Sequence, residues 1–273
     1  MTYTEPVSKL LKLGRPDGPW LEYPALGLTR ENLPELIRLV QDDELRLMAR
    51  PEGLPEGEDI PEWYAQVHAW RALAQLRAEE AIPALLGILH HIDDDDDDWL
   101  GSDAEDVFAL LGISAVEPLA AYLADEANPM YARASAASGL AEIGNRQPGA
   151  RERCIQGIAA VLEHFESNDH GLNGFLVGAL VKMNAVEQID LIRRAFAAET
   201  VDEFIYGDVE DVEIQLGLLK ERRTPARPWR FLPPELELEE PVDAPRRPDV
   251  QQKKEKNKRK QEKKSRKRNR KKR

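Results

Sequence analysis

Cysteine is all but absent. Cys154 stands alone in 273 residues, which excludes an internal disulfide and a Cys-rich zinc site. Aromatics are sparse at 6%. No uninterrupted apolar run approaches the ~18 residues that a bilayer-crossing helix needs. Residues 1–6 (MTYTEP) do not follow the charged-then-apolar order of a secretory signal. There is no Gly-x-Gly-x-x-Gly, Walker-type loop, Gly-x-Ser-x-Gly or His-Glu-x-x-His, so the usual local signatures of nucleotide binding, serine hydrolysis and zinc peptidase chemistry are missing. With 42% apolar residues the chain can still bury a core. The expectation is a non-enzymatic cytoplasmic protein with no cofactor and no metal.

Charge is present in quantity and unevenly distributed. Residues 253–273 hold 15 of the 38 Lys and Arg and two of the 50 acidic residues, a net +13. The preceding 252 residues carry 23 basic and 48 acidic side chains, a net −25. The basic segment, KKEKNKRKQEKKSRKRNRKKR, has no apolar residue and nothing to bury, so it reads as disordered in isolation. Its cations are Lys253, Lys254, Lys256, Lys258, Arg259, Lys260, Lys263, Lys264, Arg266, Lys267, Arg268, Arg270, Lys271, Lys272 and Arg273. Such groups neutralise phosphates and release condensed counterions. No aromatic is interleaved for base stacking. The partner class is therefore RNA or another polyanion, contacted without sequence readout. The alternatives are docking on the acidic body and a purely solubilising tail. Between body and tail, residues 223–252 form a Pro-rich linker. Seven prolines lie between 225 and 248, removing amide donors and disfavouring helix at each preceding residue.

The body reads as short amphipathic helices. Leu33, Leu36, Ile37 and Val40 recur at helical spacing, as do Leu172, Phe175, Leu176, Ala179, Leu180 and Met183. Thr29 reads as a cap, and Ser114 and Asn128-Pro129 as further helix starts. Internal similarity is more specific. Residues 81–89 (AIPALLGIL) recur at 115–123 (AVEPLAAYL), at 154–162 (CIQGIAAVL) and, more weakly, from Ala185. Each copy follows a segment with its own apolar pair: Leu73/Leu76, Val107/Leu110, Ala137/Leu140 and Val177/Leu180. A helix pair recurring every ~30–45 residues predicts an α-solenoid. Small residues (Ala132, Ala134, Ala136, Ala137, Gly139) would allow close helix approach.

The stretches RALAQLRAEEAIPALLGIL and FALLGISAVEPLAAYL resemble HEAT-like repeats, the group that includes the phycobilin-lyase-type repeats. More closely, 25–40, 67–86 and 201–219 are similar to a set of uncharacterised bacterial HEAT-like repeat proteins, over roughly residues 5–222. The resemblance implies an all-α, right-handed, curved stack of about five helix pairs over residues 1–222, holding a protein partner. In such stacks the second helix of each pair lines the concave face, which makes Glu117, Gln188 and Arg194 candidates for partner binding. Some members of the set end in a zinc-binding SEC-C motif. This chain has no C-terminal cysteine, so that role does not carry over. The phycobilin-lyase branch implies the alternative of tetrapyrrole attachment, and a protein-only adaptor is a third reading.

Other candidates are weaker. His90-His91 precede six consecutive aspartates at 93–98. Adjacent histidines on a helix point ~100° apart, so the run reads as a solvated loop. His68, His164 and His170 sit near no nucleophile motif, and Cys154 reads as core. Trp63 and Trp70 are spaced to share a helix face. Trp229 and Phe231, apolar residues inside the linker, read as packed against the last helices or as a short partner-binding motif.

Overall fold

The computed structural model describes residues 2–55 and 57–225. The chain divides into two units, Met1–Thr224 and Pro225–Arg273. Trp229, Phe231, the linker beyond Pro225 and the basic tail lie outside the described residues. Among the described residues every regular element is helical. The N-terminal part comprises α1 (Leu33–Val40), α2 (Asp43–Arg46), α3 (Ala65–Gln75), α4 (Ile82–Ile88) and α5 (His91–Asp94). The central helices are α6 (Asp98–Leu111), α7 (Val116–Ala124), α8 (Met130–Arg146) and α9 (Arg151–Leu162). The last are α10 (His170–Lys182), α11 (Ile189–Ala197), α12 (Glu203–Tyr206) and α13 (Val209–Gln215).

The recurring segments fall on α4, α7, α9 and the start of α11, each preceded by a longer helix: α3, α6, α8 and α10. The longer helices pack in succession, α3 on α6, α6 on α8, α8 on α10. The shorter ones do the same, α4 on α7, α7 on α9, α9 on α11. This makes two layers with one core between them. At one end α1 packs on α3 and α4; at the other α12 lies on α10 and α13 on α11. The layering follows from the apolar faces. Leu73, Leu85, Leu89, Leu119, Leu123, Leu140, Leu176 and Leu180 are all buried, and no single pair could cover them.

Helix α8 contacts α6, α7, α9 and α10. A helix so surrounded needs short side chains. Ala132, Ala134, Ala136 and Ala137 are buried, and a Cβ at Gly139 would stand 3.4 Å from both Leu119 and Phe108. The stretch Asp98–Ala124 is apolar enough by length and mean hydropathy to cross a bilayer. Here it is broken at Gly112, whose φ of 82° and ψ of −149° suit glycine alone, and half of its most apolar window is buried against protein.

The caps differ in part from expectation. Thr29 does cap, accepting from the Glu31 amide and exchanging bonds with Asn32, but it opens a 3-10 turn and α1 begins at Leu33. α7 starts at Val116 and α8 at Met130 without a side-chain cap from the preceding residue. Instead Asp93, from α5, accepts from the amides of Tyr131 (3.0 Å) and Ala132 (2.9 Å). A carboxylate distant in sequence thus satisfies the first turn of α8 and its positive dipole end.

A glycine stripe on α10 seats α12. A Cβ at Gly174 would lie 3.0 Å from the Asp202 carbonyl and 3.1 Å from Ile205, and one at Gly178 would lie 2.9 Å from the Tyr206 ring. Gly174→Val should therefore push α12 off α10 and cost about 1–3 kcal/mol of overpacking. A drop in the denaturation midpoint, with Gly149→Val (open around its Cβ) as control, measures it.

Candidate functional site

Helix α3 carries two of the seven buried polar or charged residues among those described, His68 and Arg71. Arg71 and Asp103, 4% and 5% exposed, form a two-point ion pair between α3 and α6. Arg71 Nε donates to Asp103 Oδ2 at 2.6 Å and an Nη to Oδ1 at 3.0 Å. Trp70 Nε1 donates to the same Oδ2 at 2.8 Å. The guanidinium lies 5.2 Å from the Trp20 ring centre and 5.6 Å from that of Trp99. Three N–H donors and two aromatic faces thus replace the water these charges gave up.

One turn earlier His68 bridges α3 to the N-terminal segment. Its Nε2 stands 2.8 Å from the Gly14 carbonyl and its Nδ1 2.8 Å from the Tyr23 hydroxyl. A carbonyl can only accept, so Nε2 carries the proton and the neutral ring accepts from Tyr23 at Nδ1. Gln75 adds bonds to the Leu21 carbonyl and the Tyr23 amide. Burial lowers the His68 pKa and pushes Tyr23 up to about 12. His68 is therefore a structural group held neutral. Its folded pKa lies below the unfolded value, so the unfolded chain takes up the proton first. Stability should fall as pH drops below about 6.5, by at most about 1.4 kcal/mol per pH unit for this residue. His68→Asn should flatten that slope in urea denaturations run from pH 7.5 to 5.

Beside this network lies a polar pocket of about 270 Å3. Its walls come from the end of α1 (Val40, Gln41), from α2 (Asp43, Arg46), from Gln66 on α3, and from the α4–α5 corner (Gly87, Ile88, His90, His91). The two histidines do come together: their ring centres are 4.0 Å apart at 47°. Their backbones stay right-handed helical at this corner, with His91 opening α5, so the rings meet through their side-chain torsions and not because the ~100° offset is lost. Arg46 is tied to Asp43 on its own turn and to Asp95 just past α5. His91 Nδ1 stands 2.9 Å from Asp95 Oδ2 but off the hydrogen-bonding line, and this buried nitrogen has no hydrogen-bond partner. Burial lowers the His91 pKa, reinforced by His90 and Arg46.

The aspartate run is consequently not just a solvated loop. Asp93 caps α8, Asp95 pairs with Arg46, and Asp97 accepts from the Leu100 amide to cap α6. Among the described residues no group of three or more His, Cys, Asp or Glu is arranged to hold a metal.

The residues singled out for partner binding sit on the shorter-helix layer and its turns. Glu117 of α7 pairs with Arg153 of α9 at 2.7 Å. Arg194 of α11 pairs with Glu163, just past α9, at 2.8 Å. Gln188 is half-buried in the 3-10 turn before α11. Trp63 and Trp70 do not share a helix: Trp63 belongs to a 3-10 turn over Pro61–Tyr64, and α3 begins one residue later. Cys154 is fully buried, and burial pushes its thiol up to about 11. Sequence reasoning missed the pocket and the Arg71–Asp103 pair. The only available signal for the pair was two charges standing at otherwise apolar helix positions.

The described chain is thus all-helical, its helices stacked in two layers, with a charged network buried toward its N-terminal end. It belongs to the family described as protein of unknown function (DUF1186), whose model matches residues 51–225. No curated protein and no solved structure matches it.

Proposed function

We propose that this chain is a HEAT-like α-solenoid scaffold of the cytoplasm. It holds a protein partner on the curved surface of its helix stack and contacts RNA or another polyanion through residues 253–273. The observation that carries the reading is the charge split, −25 over residues 1–252 against +13 over the last 21. Successive packing within both helix layers supports the solenoid, because each pair completes its core only against its neighbours. A non-catalytic role is supported by the state of the obvious reactive groups. His68 is held neutral between two fixed partners, and Cys154 is buried with a raised pKa. A thiol in that state is not a nucleophile.

The acidic body repels phosphates, so polyanion contact belongs to the tail alone. Pulldown from lysate with the full chain and with residues 1–252, each with and without nuclease, tests this. RNA recovered with the full chain and lost on truncation supports the proposal. RNA retained by residues 1–252, or absent from both at moderate salt, rejects it.

A further inference from the structure

We infer that the edge of the helix stack where α6, α8, α10 and α12 begin is a docking face for an extended, Lys/Arg-rich segment of a partner protein. That a protein partner exists rests on the scaffold reading; its chemistry and the face that meets it go beyond that reading.

The connections of the stack are of two kinds. Segments 76–81, 112–115, 147–150 and 183–188 lead from a longer helix to the shorter one that follows. Segments 93–98, 125–129, 163–169 and 198–202 lead back to the layer of longer helices. The first set holds three acidic residues and one arginine; the second holds thirteen acidic residues and not one Lys or Arg. Contacts place the second set side by side. Asp93 accepts from the Tyr131 and Ala132 amides at the start of α8. The Tyr131 and Phe175 rings meet edge to face between α8 and α10, with centres 6.0 Å apart. The Asp202 amide donates to the His170 carbonyl at 2.9 Å, and Asn173 Nδ2 donates to the carbonyls of both Phe165 and Thr200.

Few cations answer these carboxylates. Arg46 pairs with Asp95, Arg194 pairs with Glu163, and Arg133 feels the charges of Asp125 and Glu126. Asp96, Glu166 and Glu199 are exposed, and their side chains cap no helix and join no ion pair among the described residues. The same edge carries unpartnered aromatic surface. Phe204, in the first turn of α12, is 79% exposed, and Tyr131, in the first turn of α8, is 51% exposed. Their neighbours Ile205 and Tyr206 turn inward onto the glycines of α10.

Large apolar side chains left in water mark contact surfaces, and aromatic ones are the usual anchors of interfaces. A guanidinium or ammonium group can lie on an aromatic face and still meet a carboxylate beside it. An anionic polymer would be repelled by this edge, and a purely apolar segment would desolvate its carboxylates without pairing them. Packed helices lie about 8–10 Å apart, and an extended chain advances about 3.3 Å per residue. The occupant therefore carries a cation at about every third residue over about ten residues, one for each turn along the edge.

The probe is a ten-residue peptide with arginine at positions 1, 4, 7 and 10 and glycine or serine between. It is titrated calorimetrically into the full chain and into residues 1–252. Residues 253–273 contain no apolar side chain, so removing them takes nothing from the core and leaves out a basic segment that would compete. Asp96→Asn/Glu166→Gln/Glu199→Gln should weaken the peptide by about tenfold or more. Glu22→Gln/Glu31→Gln/Glu79→Gln removes the same charge beside the end of α3, at the opposite edge, and should leave affinity within about twofold. Tyr131→Ser/Phe204→Ser, at two exposed positions, should also weaken the peptide by about tenfold or more. Glutamate in place of each arginine should abolish binding.

Equal weakening by the two triple variants would reduce the effect to the overall charge of the body and overturn the inference. So would unchanged binding in the aromatic double variant, binding of the glutamate peptide, or no saturable binding to either protein. RNA recovery in the pulldown is read separately, so a face that fails here leaves the tail reading standing.

Discussion

Asp103→Ala should destabilise the protein by about 3–5 kcal/mol, the cost of leaving one member of a buried ion pair without its partner. Three donors converge on this carboxylate, two from Arg71 and one from Trp70. Removing it strands a guanidinium that is 4% exposed and cannot lose its proton. The flanking Trp20 and Trp99 rings offset only part of that charge. For a domain whose total stability is about 5–15 kcal/mol, the variant should be largely unfolded under mild urea. Asp103→Asn should be milder, because its amide oxygen still accepts from Trp70 or Arg71. The double variant Arg71→Met/Asp103→Leu should recover most of the loss, since an apolar pair of similar size removes both desolvated charges. Urea midpoints of the four proteins check this. A single variant with wild-type stability would mean that water reaches the pair.

Polyanion binding by the full chain should collapse with salt. A protein making six to ten phosphate contacts loses about 10³–10⁵ in affinity between 50 and 200 mM salt. The 15 tail cations exceed that number, so a slope in this range is expected even with partial engagement. Residues 1–252, at net −25, should pass through a heparin column unretained. The slope should not depend on RNA sequence, because the tail has no aromatic to stack on bases and its contacts would be to phosphates. Fluorescence anisotropy with two unrelated RNAs across a salt series measures both properties. A flat slope, or strong preference for one RNA, would assign binding to something other than the tail's charge.

Much of the fold was legible along the chain. The copies at 81, 115 and 154 each contain a helix, as does the weaker one from 185, because the apolar spacing that makes them similar is also what buries them. Helix ends were less legible. Ser114 and Asn128 had the right chemistry for caps, yet the amides at the start of α8 are met by Asp93, 38 and 39 residues upstream. A cap donated from another element leaves no local pattern. Adjacent helical residues diverge by ~100°, yet the His90 and His91 rings stand 4.0 Å apart, because side-chain torsions leave no pattern along the chain.

Residue order alone determined the helical class, the recurrence of similar apolar segments and the separation of charge into an acidic body and a basic end. Those properties are sums or short periods along the chain. Only the tertiary structure decided which charges are buried and which carboxylates are bound. Arg71 meets Asp103 across 32 residues and Arg46 meets Asp95 across 49. Pairing over such distances depends on how the helix layers stack, because desolvation and coulombic energy follow separation in space, not in sequence.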